Sequence, residues 1–272
     1  MLKLVTSVFT TVKYSLANYL SSRYRLRSLS ESQAELETWL ETTLGQRLLS
    51  QQRYHIDQLL HCLFGYHVMQ LGISRQLDLA SSSPINHRFQ LSPTMPSNKH
   101  LFSGALAEFE QLPLASESID VGILHHVLDY SPDPYQTLSE ASRVIIPQGY
   151  LLIVGFNHWS VLGLCKPIAH MLFNSPQWRY HSLSLRRLTH WLKLLDFEPV
   201  CKQYDYYGFP SDRYYSRLDT LGRRFFPGCG AFYVLLARKQ VTRMTPIKTP
   251  LRKKLNTLPQ WGKASPMPQK QK

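Results

Sequence analysis

The chain has 272 residues, 43% of them hydrophobic, with 31 Lys and Arg against 18 Asp and Glu, a formal charge of +13. This composition excludes disordered and fibrous proteins, and no apolar run reaches the roughly 18 residues needed to cross a bilayer. The excess charge lies at the two ends: residues 1–30 hold five basic and no acidic residues, and residues 241–272 hold eight basic and none acidic. The middle is neutral and long enough for one large domain, so a basic nucleic-acid-binding fold is not required.

Residues 1–30 are rich in Ser, Thr, Tyr and Arg, as organelle transit peptides are. Lys13 interrupts the apolar stretch, which argues against a cleavable secretory signal. Three interpretations stay open: a targeting or membrane-surface helix, a loosely attached extension, and a start codon placed too far upstream. We base no function on this segment.

Two helices are predicted over residues 33–61, where Leu and Ile recur at helical spacing and Gly45 is the expected break. We expect residues 31–64 to form a helical cap region and residues 65–240 to form the main domain.

In the main domain, apolar strand-like runs alternate with helix-like stretches, which predicts an α/β fold with a mostly parallel sheet and helices on both faces. Strands are predicted at residues 66–71, 86–92, 101–109, 119–128, 150–156, 199–207 and 231–237. Helices are predicted at 134–144 and at 182–195, the second opening on a Ser-Leu-Ser start signal. The apolar segment from Trp159 to Phe173 is broken by Lys166 and Pro167, so we expect it to lie on a surface or over a pocket.

The four cysteines and the basic tail bear on the environment of the protein. The cysteines lie far apart without a Cys-x-x-Cys pair, which argues against a zinc site and a disulfide framework, and a reducing cytoplasm fits best. Residues 241–272 mix Pro and Lys without an apolar period, so we expect a disordered, solvated tail. Weak contact of the basic termini with RNA or an anionic membrane is the alternative.

Residues 107–133 carry the most informative pattern, AEFEQLPLASESIDVGILHHVLDYSPD. An acidic pair and a Leu-Pro turn precede a Ser-Ile-Asp entry to a central strand and a His-His-Val-Leu exit. The stretch resembles the type 11 group of class I S-adenosylmethionine-dependent methyltransferases, which typically read Gly-Asp-Ala-Glu-x-Leu-Pro-Phe and then Ser-Phe-Asp. The resemblance covers residues 65–238, and two flanking segments are similar to an uncharacterised bacterial branch of that group. It implies a Rossmann-like, doubly wound, seven-stranded sheet and S-adenosylmethionine as cofactor.

The resemblance also implies roles for single residues in cofactor binding. Gly72 matches the first glycine of the family's first motif, where a missing side chain lets the backbone approach the cofactor. Glu108 matches the acid that accepts a hydrogen bond from the adenine amino group, and the backbone amide of Phe109 would meet the ring. Leu124, near the end of the central strand, completes the implied cofactor set. Glu110 is expected to face away and be exposed.

His125 and His126 end the central strand, which in this family lies beside the methionine part of the cofactor. A neutral imidazole there could position a substrate or take a proton. Strand alternation sends the two side chains to opposite faces, so we expect only one at the site and choose His125 as the catalytic candidate. Asp129 and Tyr130 are weaker candidates, and Asp120 is expected to be a structural turn acid.

The chain departs from the family where the cofactor is usually held. Only Gly72 remains of the glycine motif, Ile73 and Arg75 add bulk, and Gln70 replaces a carboxylate. The second strand ends without the Asp or Glu that binds the ribose hydroxyls, and Asp78 comes too early. Loss of a bidentate carboxylate costs about 1.5–3 kcal/mol, or about ten- to a hundred-fold in affinity.

Three functions remain open from the sequence. The first is a divergent methyltransferase that acts on a small-molecule acceptor under a cap formed by residues 33–61 and 156–178. The second is a non-catalytic interaction or scaffold protein that keeps the fold. The third, an RNA methyltransferase, ranks lowest because the central strand does not end in an Asn-Pro-Pro-Tyr-like motif.

Overall fold

The structure is a computed structural model that describes residues 29–74, 77–94, 104–157, 159–160, 183–208, 216–226 and 228–241. Most of the N-terminal extension, Arg75, the apolar segment beyond Ser160 and the basic tail lie outside the described residues, so the expectations for them stay predictions. Within the described ranges, no helix combines the length and the apolar character that a membrane span requires.

Two helices precede the sheet. Helix α1 runs over Leu29–Leu40 and helix α2 over Thr43–Leu60. The chain breaks before Gly45 rather than at it, because the Thr42 side chain caps α2 by accepting a hydrogen bond from the Gly45 N–H at 3.1 Å. Gly45 serves close packing instead, since a Cβ there would lie 2.3 Å from the Trp39 carbonyl oxygen.

Seven strands form one mixed sheet. They are β1 His67–Gly72, β2 His87–Ser92, β3 Gly104–Leu106, β4 Ile119–His125, β5 Ile145–Phe156, β6 Phe197–Asp205 and β7 Phe232–Lys239. Their order is β3-β2-β1-β4-β5-β7-β6, and only β7 runs antiparallel to its neighbours. The predicted seven-stranded, mostly parallel, doubly wound sheet is therefore confirmed. From β1 the chain winds to β2 on one side and to β4 on the other, so the topological switch point lies between β1 and β4.

Helices cover both faces of the sheet, as predicted. Along each strand successive side chains alternate between faces. Helix α2 lies on the face of Phe232, whose ring centroid is 6.3 Å from that of His55. Helix α4, Pro134–Val144, lies on the opposite face, where Lys239 Nζ donates to the Ser142 carbonyl at 2.7 Å.

The remaining helices are short. Helix α3 spans only Val127–Tyr130, α5 spans Leu185–Leu194, and α6 spans Ser216–Phe225. The sequence analysis predicts α4 with its bounds, places α5 within a few residues and does not predict α3 or α6. Strand β5 begins five residues before its predicted start, because Ile145 pairs with Ile119 ahead of the Pro-Gln-Gly turn.

Candidate functional site

The carboxyl ends of β1 and β4 bring Gly72 and His125 side by side. The two residues are partners in the parallel register of these strands. The Ile73 N–H donates to the His125 carbonyl at 3.4 Å, which extends the pairing one residue beyond β1. The motif glycine and the candidate histidine therefore meet at the switch point, where doubly wound sheets bind ligands.

His126 does not continue the strand. Its φ of 56° and ψ of 10° place it in the left-handed region, from which α3 begins. This turn brings its ring back beside that of His125, with ring centroids 4.6 Å apart. The expectation that the two histidines point to opposite faces is wrong, because β4 ends at His125 and the alternation of faces does not extend to His126.

Gln52, from the middle of α2, bonds both imidazoles. Its Oε1 lies 3.0 Å from His125 Nε2, and its Nε2 lies 3.1 Å from His126 Nε2. His126 Nδ1 lies 2.9 Å from Asp129 Oδ2, which also accepts the Phe156 N–H at 3.0 Å. The four side chains of Gln52, His125, His126 and Asp129 are at most 1% exposed. Together they form one buried polar chain, called here the His-Gln chain.

The direction of each hydrogen bond in the His-Gln chain follows from its acidic end. Because the Asp129 carboxylate only accepts, His126 carries its hydrogen on Nδ1 and has a lone pair on Nε2. The Gln52 amide nitrogen donates to that lone pair, which leaves the Gln52 oxygen to accept from His125. His125 therefore carries its hydrogen on Nε2 and a lone pair on Nδ1.

Burial keeps both imidazoles neutral. It lowers the pKa of His126 to about 3. Burial also lowers the pKa of His125 well below its ordinary value, with smaller contributions from His126 and Arg53. A neutral pair agrees with the donor and acceptor pattern, since each ring donates once in the His-Gln chain.

Helix α2 is held against the domain by three residues that follow Gln52. Arg53 donates to the Asp78 carbonyl at 3.0 Å, and Asp57 accepts from the Ser82 hydroxyl at 2.6 Å. His55 Nε2 lies 2.6 Å from an Asp205 carboxylate oxygen at the end of β6. These contacts fix the position from which Gln52 reaches the carboxyl edge of β4.

Side chains at the family's carboxylate positions are bonded within the protein. Gln70 donates to the Leu77 carbonyl and accepts the Leu79 N–H at 2.9 Å. At the end of β2, Ser92 accepts from Gln33 of α1 at 3.4 Å. The described residues of the β1–β2 crossover form turns rather than a helix. Gln70 thus holds the crossover instead of presenting a charge.

A side-chain Cβ would fit at Gly72 without a clash. A Cβ there would meet the Ser74 carbonyl at 3.4 Å and the amides of Gln70 and Gln90 at 3.6 and 3.7 Å, which are ordinary contacts. By contrast, a Cβ at Gly155 would lie 2.5 Å from the Tyr233 hydroxyl. A polar cavity of about 330 Å³ adjoins the two glutamines and is also lined by Asp78, Asn86 and Arg88. A steric clash therefore requires glycine at position 155 but not at position 72.

The other sequence candidates divide into exposed, buried and structural groups. Glu108 is exposed just beyond β3, whereas Phe109 and Leu124 are buried. Glu110 is half-buried and accepts from the Ser131 hydroxyl at 2.8 Å, so its expected exposure is wrong. Asp120 accepts the backbone N–H groups of Tyr66 and His67, each at 2.9 Å, as a structural acid would. Tyr130 is buried, and Asp129 belongs to the His-Gln chain.

Sequence reasoning missed Gln52 and Gln33. Gln52 lies between Leu48, Leu49 and Ile56 on the buried side of α2. A polar residue within an apolar helical stripe is the signal that could have found it, because such a residue needs a buried hydrogen-bond partner.

Comparison with known proteins gives matches in sequence and in structure. A family model described as a methyltransferase domain matches residues 86–153. YafS, an uncharacterized protein of Escherichia coli K12, is 30% identical over 185 residues, which cover 67% of this chain and 72% of YafS.

Two solved structures share the fold. A methyltransferase from Thermotoga maritima that depends on S-adenosylmethionine (SAM) has a TM-score of 0.52 at 20% identity, over 69% of this chain and 89% of that one. A SAM-dependent methyltransferase from Archaeoglobus fulgidus has a TM-score of 0.53 at 14% identity, over 74% of this chain and 98% of that one.

Proposed function

Since the chain belongs to the class I S-adenosylmethionine-dependent methyltransferase family, we propose that it transfers a methyl group from S-adenosylmethionine to a small-molecule acceptor. The reaction would take place at the carboxyl edge of β1 and β4, with His125 facing the acceptor.

The His-Gln chain is the observation that carries this proposal. Burying four polar side chains is costly unless each is bonded, and apolar side chains would fill the same space at less cost. Here the buried polar groups converge at the switch point, where His125 is the register partner of Gly72. Buried, bonded polar groups at that location are what a site for positioning a ligand requires.

The described residues fit the adenosyl group, with a side-chain amide in place of the carboxylate that usually binds the ribose. Gly72 leaves room for close approach, and Glu108 offers an exposed carboxylate for the adenine amino group. The ribose hydroxyls would meet the Oε1 of Gln90 rather than a carboxylate, because Gln70 and Ser92 form bonds within the protein and Gln90 Nε2 itself donates to the Ser74 carbonyl at 3.0 Å. We expect binding to be weaker by about ten- to a hundred-fold than with a charged partner.

The protein's own contribution to the reaction would be alignment and exclusion of water. When bound, S-adenosylmethionine supplies a methyl group activated by its sulfonium. With Nε2 committed to Gln52, His125 would offer its Nδ1 lone pair to an N–H or O–H group of the acceptor. Because an efficient general base has a pKa near the working pH, the lowered pKa of His125 suits it to orienting the acceptor rather than to taking a proton.

The experiment that tests the proposal is calorimetric titration of the full chain with S-adenosylmethionine and with S-adenosylhomocysteine. Saturable binding at micromolar concentrations supports an enzyme. Absence of binding up to millimolar concentrations rejects it.

Glu108→Ala is expected to weaken S-adenosylmethionine binding at least several-fold, because it removes the acceptor assigned to the adenine amino group. Calorimetry measures the change, and Glu41→Ala on the exposed break between α1 and α2 is the matched control. Equal affinities of Glu108→Ala and the wild type would reject the adenine assignment.

Gly72→Ala is expected to leave the free energy of unfolding unchanged or to raise it by about 0.5 kcal/mol, because its Cβ meets only ordinary contacts. The same methyl group would occupy the space assigned to the cofactor, so S-adenosylmethionine affinity should fall at least tenfold. Denaturant unfolding and calorimetry measure the two effects. A variant that loses stability but keeps its affinity would show that Gly72 serves packing alone.

The bonding of Gln70 and Ser92 favours a second candidate, a non-catalytic scaffold that has given its cofactor positions to internal contacts. Calorimetry separates it from the enzyme, since the scaffold would give no heat with either ligand. A cytoplasmic location, the domain boundaries, and contact of the basic ends with RNA or anionic lipid stay predictions from the sequence.

A further inference from the structure

The Gln52 amide uses both of its ends on histidines. Its oxygen faces His125 Nε2 at 3.0 Å and its nitrogen faces His126 Nε2 at 3.1 Å. An amide is the side chain that can accept from one imidazole and donate to the next with a single planar group. A carboxylate could only accept, and a hydroxyl would be too short to span both rings.

We propose that Gln52 is a positioning residue that transmits the orientation of the Asp129–His126 pair to His125, so that His125 presents its Nδ1 lone pair. This inference rests on the proposed function, because His125 faces an acceptor only under that function. Helix α2 would then help to prepare the acceptor site.

A packing role alone does not account for Gln52. The residue lies in an apolar stripe with Leu48 and Ile56, where Met or Leu would fill the space without a polar cost. Its neighbours on α2 are tied to the β1–β2 crossover and to the end of β6, so the part of the helix that carries the amide is held in place. A rigid support of this kind is what fixes the geometry of a functional histidine.

The His-Gln chain predicts one tautomer for each of the two imidazole rings. Long-range ¹H–¹⁵N NMR spectra of the full chain, labelled on its histidine ring nitrogens, report which nitrogen carries the hydrogen. We expect His125 with hydrogen on Nε2 and His126 with hydrogen on Nδ1, the two signals being assigned from His125→Gln and His126→Gln spectra. Hydrogen on Nδ1 of His125 in the wild type would overturn the proposal.

Two substitutions separate positioning from packing. Gln52→Met keeps the volume and removes both hydrogen bonds, so His125 should lose its single tautomer while His126 keeps hydrogen on Nδ1. Gln52→Leu also removes both hydrogen bonds, so it should have the same effect on His125. Gln58→Met, the same change on the exposed side of α2, should reproduce the wild-type spectrum.

A merely structural Gln52 predicts a different result. Gln52→Met would then lower the free energy of unfolding and leave both tautomers unchanged, which would overturn the proposal. If Gln52→Met does not fold, Gln52→Leu decides the question, since unchanged tautomers there are equally contrary. The NMR result does not depend on cofactor binding, so failure of the wild type to bind S-adenosylmethionine would reject the proposed function alone.

Discussion

Lowering the pH from 7 to 5 is expected to reduce the free energy of unfolding by about 2 kcal/mol through His126, with a further loss in the same direction through His125. Burial holds the pKa of His126 at about 3 in the folded state and that of His125 well below its ordinary value. In the unfolded chain both return to about 6.5. Between pH 6.5 and pH 3 the unfolded state therefore binds more protons, and acid favours unfolding.

Acid lowers the stability because folding lowers the pKa of both imidazoles. The contribution to stability is complete above pH 6.5 and is lost as the pH falls below that value. The folded pKa of Asp205 is also lowered, by hydrogen bonds from His55 and Tyr206 and by Arg223, which outweigh burial. As a carboxyl group with an ordinary pKa of 3.8, it loses its contribution only at more acidic pH, so the loss between pH 7 and 5 belongs to the imidazoles.

Urea unfolding at pH 7 and pH 5 measures the effect. His125→Gln removes one titrating group, so its pH difference should fall to about 2 kcal/mol. His190→Gln, at an exposed position on α5, should keep the wild-type difference. Equal stability of the wild type at the two pH values would show that the imidazoles are not held neutral.

Asp129→Ala is expected to cost about 2–6 kcal/mol of folding free energy at pH 7. The substitution leaves two buried donors, the Phe156 N–H and the His126 Nδ1–H, without the oxygen that accepts both. Each unsatisfied buried donor costs about 1–3 kcal/mol. Asp129→Asn keeps an acceptor oxygen of the same size, so it should lie between Ala and the wild type.

A matched aspartate on the surface tests whether burial causes the effect. Asp133 caps α4 by accepting the N–H groups of Tyr135 and Gln136, each at 3.0 Å. There water can replace the lost acceptor, so Asp133→Ala should cost about 1 kcal/mol. Chemical denaturation of both variants measures the contrast. Similar losses of folding free energy in the two variants would mean that Asp129 does not anchor the His-Gln chain.

Gln70 and Ser92, at the positions where the family has carboxylates, form hydrogen bonds within the protein. The lost carboxylates do not leave a gap, since the amide of Gln70 holds the β1–β2 crossover and Ser92 is joined to α1. Under the proposed function, Gly72, Gln90 and Glu108 would hold the cofactor. The paired measurements on Gly72→Ala and Glu108→Ala test this reduced set directly.

The sheet and helix α4 were predictable because their signals are local. Continuous apolar runs such as residues 119–125 form buried parallel strands. Asp133 followed by Pro134 marks the start of α4 by cap chemistry and a preset φ. Short helices such as α3 depend on packing against distant segments, which the local sequence does not indicate. The prediction extended β4 beyond His125 because nothing in the local sequence shows that His126 is left-handed.

By itself, the sequence determined the family, the mostly parallel seven-stranded sheet that the family implies, and the placement of Gly72 and His125 at the ends of their strands, because these follow from motifs and from the geometry of parallel strands. Only the tertiary structure joined Gln52 to both histidines, 73 and 74 residues away along the chain. It also showed that the family's carboxylate positions bond within the protein. Hydrogen bonds between distant segments depend on how helices pack across the sheet, and that arrangement is a property of the whole fold rather than of any stretch of sequence.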